Sequence, residues 1–242
     1  MNRKCLCCEL ACIFLLVSSL NFAQETTFTA RVSLVEGDKA RKPHDASNVV
    51  LWLMPAPGTV STKHQVARQT TARLVQKNKS FAPHLIVIPV GSVVAFPNRD
   101  PFFHNVFSLF EGKRFDLGLY EAGTSKDVHF DKPGISYIFC NIHPEMSAVV
   151  ITVDTSYYGI SDAKGQVIIP KVPTGRYTLR VWYEAALPET LQALGQEINV
   201  SENNSSIGVL RIAEAALPMS HKNLYGRDYD PPTANEPAYI RH

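Results

Sequence analysis

Cysteine is almost missing from this sequence outside its first dozen positions. Of five cysteines in 242 residues, Cys5, Cys7, Cys8 and Cys12 crowd the start, and Cys140 stands alone. The crowded segment carries Arg3 and Lys4, then the apolar run LACIFLLVSSL, then the small residue Ala23 within NFAQ. That is the layout of a secretory signal peptide, and the apolar run is too short to cross a bilayer comfortably. Cleavage near Ala23 is expected to remove residues 1–23 and leave a periplasmic or otherwise secreted mature chain with no membrane span. A mature chain with one cysteine cannot form an internal disulfide. Cys140 is then an unreacted buried thiol, an intermolecular bridge or a metal ligand.

An excess of one charge is also lacking. With 24 Lys and Arg against 22 Asp and Glu, the formal net charge is +2, far from the basic footprint of a nucleic-acid binder. No nucleophile elbow, phosphate loop or paired-carboxylate motif occurs, so an enzyme is not expected. Helical periodicity is scarce as well. TKHQVARQTTARLVQKN has only a weak apolar stripe, and a strand ending at Leu74 to Gln76 suits it equally. ALPETLQALGQE is interrupted by Pro188 and Gly195 and reads as loop or a short turn of helix.

What is present is strand signal. TFTARVSLV, NVVLWLMP, HLIVIPVGSVVAF, NVFSLF, ISYIF, SAVVITV, QVIIPKV and YTLRVWYE are short, rich in Val, Ile, Phe and Tyr, and separated by turn residues. The pattern predicts all-β sandwiches. A division near Thr155 gives one sandwich over residues 24–153 and a smaller one over 154–215, followed by a polar extended tail over 216–242. In the smaller unit, VPTGRYTLRV (Val172 to Val181) resembles the VPxGxYxLxV run of transthyretin-like, or carboxypeptidase-regulatory-like, β-sandwiches.

The chemistry concentrates in YIFCNIHPEM. Cys140, His143 and Met146 form Cys-x2-His-x2-Met, a thiolate, an imidazole and a thioether on one tight loop. Such soft and borderline donors favour copper over calcium or magnesium. One further histidine would complete the His2Cys set with a weak axial methionine that marks blue-copper electron-transfer sites. FPNRDPFFHNVFS offers His104, on a loop between two strand signals. One mature cysteine excludes a dinuclear copper centre with two bridging thiolates, and the absence of His-x-His pairs argues against a multicopper oxidase.

VAFPNRDPFFHNV together with YIFCNIHPEM resembles the cupredoxins, specifically plastocyanin and amicyanin. Phe96, Asn98, His104 and Asn105 have the plastocyanin spacing, whereas the short Cys-x2-His-x2-Met loop is closer to amicyanin. The resemblance implies a Greek-key β-sandwich binding one type 1 copper through His104, Cys140, His143 and Met146. It also implies that the Asn105 backbone N–H points at the cysteine sulfur, that the Asn105 side chain ties the two ligand loops together, and that Asn98 braces them with a similar hydrogen bond. His143 would present its ring edge to solvent. Pro101, Phe102, Phe103, Pro144 and Met146 would form an apolar collar for weak docking of a redox partner. The two-sandwich arrangement resembles cupredoxin-domain proteins labelled as methylamine-utilisation proteins, a label that implies electrons from an amine dehydrogenase; the motifs here support copper, not amines.

The expected function is one-electron carriage, with copper cycling between Cu(I) and Cu(II) and a periplasmic redox protein as partner. The alternative is a copper-holding or structural binding or adhesion module without an electron-transfer role. His84, His129, His44 and His64 lack donor partners at metal spacing and read as structural or peripheral.

Overall fold

The computed structural model describes residues 24–36, 39–40, 45–57, 68–109, 112–215 and 221–229. The expected signal peptide, most of the TKHQVARQ segment and the end of the tail lie outside these residues. β1 (Glu25–Glu36), β2 (Lys39–Ala40) and β3 (Val50–Pro55) come first, then β4 (Thr71–Arg73), β5 (Val75–Gln76), β6 (Phe81–Ala82), β7 (Leu85–Pro89) and β8 (Ser92–Pro97). β9 (His104–Ser108), β10 (Phe115–Tyr120), β11 (Ser125–Phe130), β12 (Gly134–Cys140) and β13 (Ser147–Val153) follow. β14 (Tyr158–Ile160), β15 (Gln166–Pro173), β16 (Gly175–Trp182), helix α1 (Pro188–Ala193), β17 (Gln196–Val200) and β18 (Ser206–Glu214) complete the described elements. The all-β expectation holds. ALPETLQALGQE yields only the six residues of α1, with proline in its first turn, where the missing N–H costs nothing.

The strands form two sandwiches, and they do not divide where the sequence pattern divides. One sandwich sets the sheet β15-β1-β18, with β2 on the edge of β1, against the sheet β14-β3-β16-β17. Its core takes Phe28, Ala30, Val32 and Leu34 from β1, Leu51 and Leu53 from β3, Ile169 from β15, Tyr177 and Leu179 from β16, and Ile212 from β18. The other sets β10-β9-β12-β13-β7 against β11-β8-β4, around Phe96, Val106, Phe130, Ile138, Ala148 and Val150. The expected unit 24–153 is therefore corrected: β1 and β3 belong with the C-terminal strands, and the second sandwich is inserted between β3 and β14. The reason is non-local. β1 pairs in parallel with β18 and antiparallel with β15, partners far away in sequence that no local pattern reveals.

Alternation explains the outer sandwich. Along β15, Val167 and Ile169 are buried while Gln166 and Ile168 are exposed, the period-2 pattern of a sheet with one face in solvent. Two turns carry particular weight. In the β14–β15 turn, Gly165 has φ +74 and lies so close to β1 that an added Cβ would meet the Val32 carbonyl oxygen at 2.2 Å. In VPTGRYTLRV, the Tyr177 ring is core and its hydroxyl donates to the Pro173 carbonyl at 2.8 Å, so the burial of a polar tip is satisfied.

β13 shows no such alternation, because both of its faces are covered. Ala148 and Val150 enter the inserted sandwich's core. Val149, Ile151 and Val153 instead pack with Val50 and Trp182 of the outer sandwich. A polar link accompanies that seam: His84 Nε2 lies 2.6 Å from Glu184 Oε2.

Candidate metal centre

The β12–β13 hairpin makes the ligand loop. Strand pairing runs to Phe139 opposite Ser147, and the loop is then closed by Cys140 N–H to the Met146 carbonyl (3.2 Å) and Met146 N–H to the His143 carbonyl (3.1 Å). Beside it, β9 begins at His104, with Cys140 opposite Val106 and Asn141 N–H donating to the Asn105 carbonyl at 2.9 Å. Two segments far apart in sequence are thereby held in one register.

His104, Cys140 and His143 converge, with one donor atom from each within 4.8 Å of the others. Cys140 Sγ is 3.6 Å from His104 Nδ1 and 3.5 Å from His143 Nδ1. Cys140 and His104 are wholly buried, and Met146 is wholly buried in the same apolar cluster as Cys140.

Asp100, on the loop that leads into β9, orients His104. His104 Nε2–H donates to Asp100 Oδ2 at 2.9 Å. An ionised carboxylate only accepts, so the proton sits on Nε2 and the Nδ1 lone pair faces the sulfur. Asp100 is itself fixed by the backbone N–H groups of Asn78 (2.6 Å) and Lys79 (3.0 Å). Burial alone would raise its carboxyl, but the Lys79 and Asn78 N–H groups and the His104 ring hold it below the usual range. The only signal in the sequence was the i, i+4 spacing of Asp100 and His104.

The two asparagines differ from each other. Asn98 bonds within its own loop and does not reach the Cys140 loop: its Nδ2 donates to the Phe102 carbonyl at 2.7 Å and its Oδ1 accepts from Asp100 N–H at 3.0 Å. The Asn105 side chain instead reaches Asp116 on β10, at 2.7 Å. Its backbone does the tying, through the carbonyl bonded to Asn141, while its N–H is directed at the Cys140 thiol and stabilises the charged form.

Burial governs the titration of the centre. It raises the Cys140 thiol, against the opposing N–H groups of Asn105, Ile142 and His143. It lowers His104 more than Asp100 raises it, and it lowers His143, helped by the nearby His104.

The expected exposed edge of His143 is corrected. Its side of the centre is roofed by Phe102, whose ring centroid lies 5.3 Å from that of His104 and 5.4 Å from that of His143, leaving His143 only 7% exposed. Met146 is buried and does not belong to the collar; Pro101, Phe103 and Pro144 are exposed. Among the other histidines, His84 serves the seam, and His129 Nε2 lies 3.1 Å from the Gly91 carbonyl.

No family model matches the chain, and no curated protein matches it. Solved cupredoxins resemble part of it. A copper-containing nitrite reductase from Thermus scotoductus SA-01 is 26% identical over 34% of this chain and 22% of its own length, with a TM-score of 0.33. A purple cupredoxin from Nitrosopumilus maritimus is 23% identical over 34% of this chain and 99% of its own, with a TM-score of 0.31. Amicyanin from Paracoccus versutus is 18% identical over 42% of this chain and 91% of its own, with a TM-score of 0.32. The matched parts take in less than half of this chain, and at such scores the likeness carries no weight for function; the geometry around Cys140 has to. No helix among the described residues is long and apolar enough to cross a membrane.

Proposed function

We propose that this chain is an exported cupredoxin-type protein holding one type 1 copper and carrying single electrons. The observation that supports it is the placing of two imidazole Nδ1 atoms at 3.5 and 3.6 Å from one buried thiol sulfur. Donors about 2.0–2.3 Å from a shared ion, at tetrahedral to trigonal angles, lie about 3.5–3.8 Å apart. A thiol has one proton and satisfies only one of the two nitrogens by donation, so the pair of contacts suits an ion between them better than a hydrogen-bonded trio. His104, Cys140 and His143 would hold the copper, with Met146 as the weak axial donor. Bound there, copper supplies a one-electron couple.

The residues do the rest. Asp100 fixes the tautomer and ring plane of His104, as outer carboxylates do for metal-bound imidazoles. Phe102 keeps water from the two rings. Pro101, Phe103 and Pro144 present a small apolar surface for brief docking with another redox protein. The outer sandwich is read as a transthyretin-like module, and residues 1–23 as the export signal that places the chain in the periplasm or outside the cell.

The test is the absorption and EPR spectrum of the mature chain with Cu(II). Electron carriage predicts an intense thiolate-to-copper band, narrow copper hyperfine splitting and reversible bleaching by a reductant. Cys140→Ser should lose the band. A tetragonal spectrum without it in the unaltered chain would sink the blue-copper reading, and a coloured form that does not cycle would favour the copper-holding or adhesion module.

A further inference from the structure

Residues 221–229 belong to neither sandwich, yet they hold three consecutive residues at the end of β12. The His221 ring stacks on Phe139, centroids 4.1 Å apart and planes 20° from parallel. The Tyr229 hydroxyl donates to the Cys140 carbonyl at 2.8 Å, and Leu224 N–H donates to Asn141 Oδ1 at 2.8 Å. Tyr229 meets His221 edge-on at 5.3 Å, so the stack and the hydrogen bond support each other.

The segment is also built internally. Asn223 Oδ1 accepts from Tyr225 N–H and Arg227 N–H, both at 3.0 Å. Asn223 N–H donates to the Arg227 carbonyl and Gly226 N–H to the Asn223 carbonyl, each at 2.9 Å. This turn directs Leu224 and Tyr229 to the same strand end. A polar stretch with no reason to fold alone is thus anchored where Cys140 ends β12.

We infer that residues 221–229 form a strap that completes the metal centre, holding Cys140 and the ligand loop in the metal-ready geometry before the ion arrives. Tyr229 and His221 are positioning residues: they act on the site through the Cys140 carbonyl and the Phe139 ring. Pre-ordering of this kind removes the cost of arranging the loop at the moment of binding. The inference rests on the proposed copper reading for its purpose, but its structural content does not.

The experiment compares the full chain with Tyr229→Phe and His221→Gln. In the metal-free protein, amide hydrogen exchange over residues 139–146 should accelerate in Tyr229→Phe by about 2- to 12-fold, the ratio for one net hydrogen bond, with β1 and β3 unchanged. Loaded with Cu(II), both variants should shift the thiolate-to-copper band and yield copper faster to a chelator. Unchanged exchange over 139–146 in both variants overturns the strap. A colourless Cu(II) form of the unaltered chain overturns the copper reading instead, and the metal-free exchange then still decides the strap.

Discussion

The two sandwiches bury different things. The outer core is apolar from β1 to β18, and its few polar atoms are satisfied, as where Ser161 Oγ donates to the Ala46 carbonyl and accepts from Val49 N–H. The inserted sandwich buries Gln76, Asn98, Asp100, His104, Asn105 and His143. Among the described residues, the buried side-chain polar atoms without a partner are Gln76 Oε1, Asn105 Oδ1, Ser108 Oγ, Thr152 Oγ1 and His221 Nε2, all in the inserted sandwich or the strap. Unsatisfied burial is costly, so an arrangement that concentrates it in one unit separates the part that secures the fold from the part that holds the candidate site.

That contrast can be broken by substitutions on either side. Leu53→Ala, in the outer core, should cost about 2–5 kcal/mol in chemical denaturation while leaving the copper spectrum of the folded fraction unchanged. Asp100→Ala should do the reverse. It frees His104 to rotate, and copper affinity measured against a competing chelator should fall about 10- to 100-fold with little change in outer-sandwich exchange. Tyr177→Phe removes the hydroxyl bonded to Pro173 and should lower stability by about 1 kcal/mol, again with no spectral effect. If the outer variants altered the spectrum as strongly as Asp100→Ala, the division of labour would be wrong.

The smallest effect concerns the seam. The hydrogen bond and charge of Glu184 raise His84 above its ordinary value of 6.5, against a lowering by burial. A raised folded value means that the His84 contribution is fully present below pH 6.5 and is lost as pH rises through the folded value. Both partners are 43% exposed, so solvent screens the pair and the effect is slight. Glu184→Gln should flatten the loss of stability from pH 6.5 upward, followed by thermal unfolding across that range.

The ligand loop was legible because its chemistry is local: Cys140, His143 and Met146 fall within seven residues, and a tight hairpin has few ways to place them. The strand, turn and strand around VPTGRYTLRV were legible for the same reason, as β15 and β16. Asp100 was not, since a carboxylate on a loop ordinarily reads as solvated and its partners Asn78 and Lys79 come from a different turn. The roof over His143 depends on the rotamer of Phe102, and the docking of Tyr229 on how far a polar tail travels. The pairing of β1 with β15 and β18 was illegible because register between distant strands leaves no periodic trace in either.

The point where the inserted sandwich leaves and rejoins the outer one has a consequence for the order of folding. Leu53 N–H donates to the Tyr157 carbonyl at 2.8 Å, and Thr155 Oγ1–H donates to the Leu53 carbonyl at 2.9 Å, so the two ends of the insertion meet. For β3 to find β14 in an unstructured chain, a loop on the order of 100 residues must close, at an entropic cost that grows with length. Once the insertion has collapsed, its ends are already neighbours and that search is over. The unit that holds the candidate site then acts as the splint on which the outer sandwich assembles, and a variant that slows the insertion should delay the appearance of both.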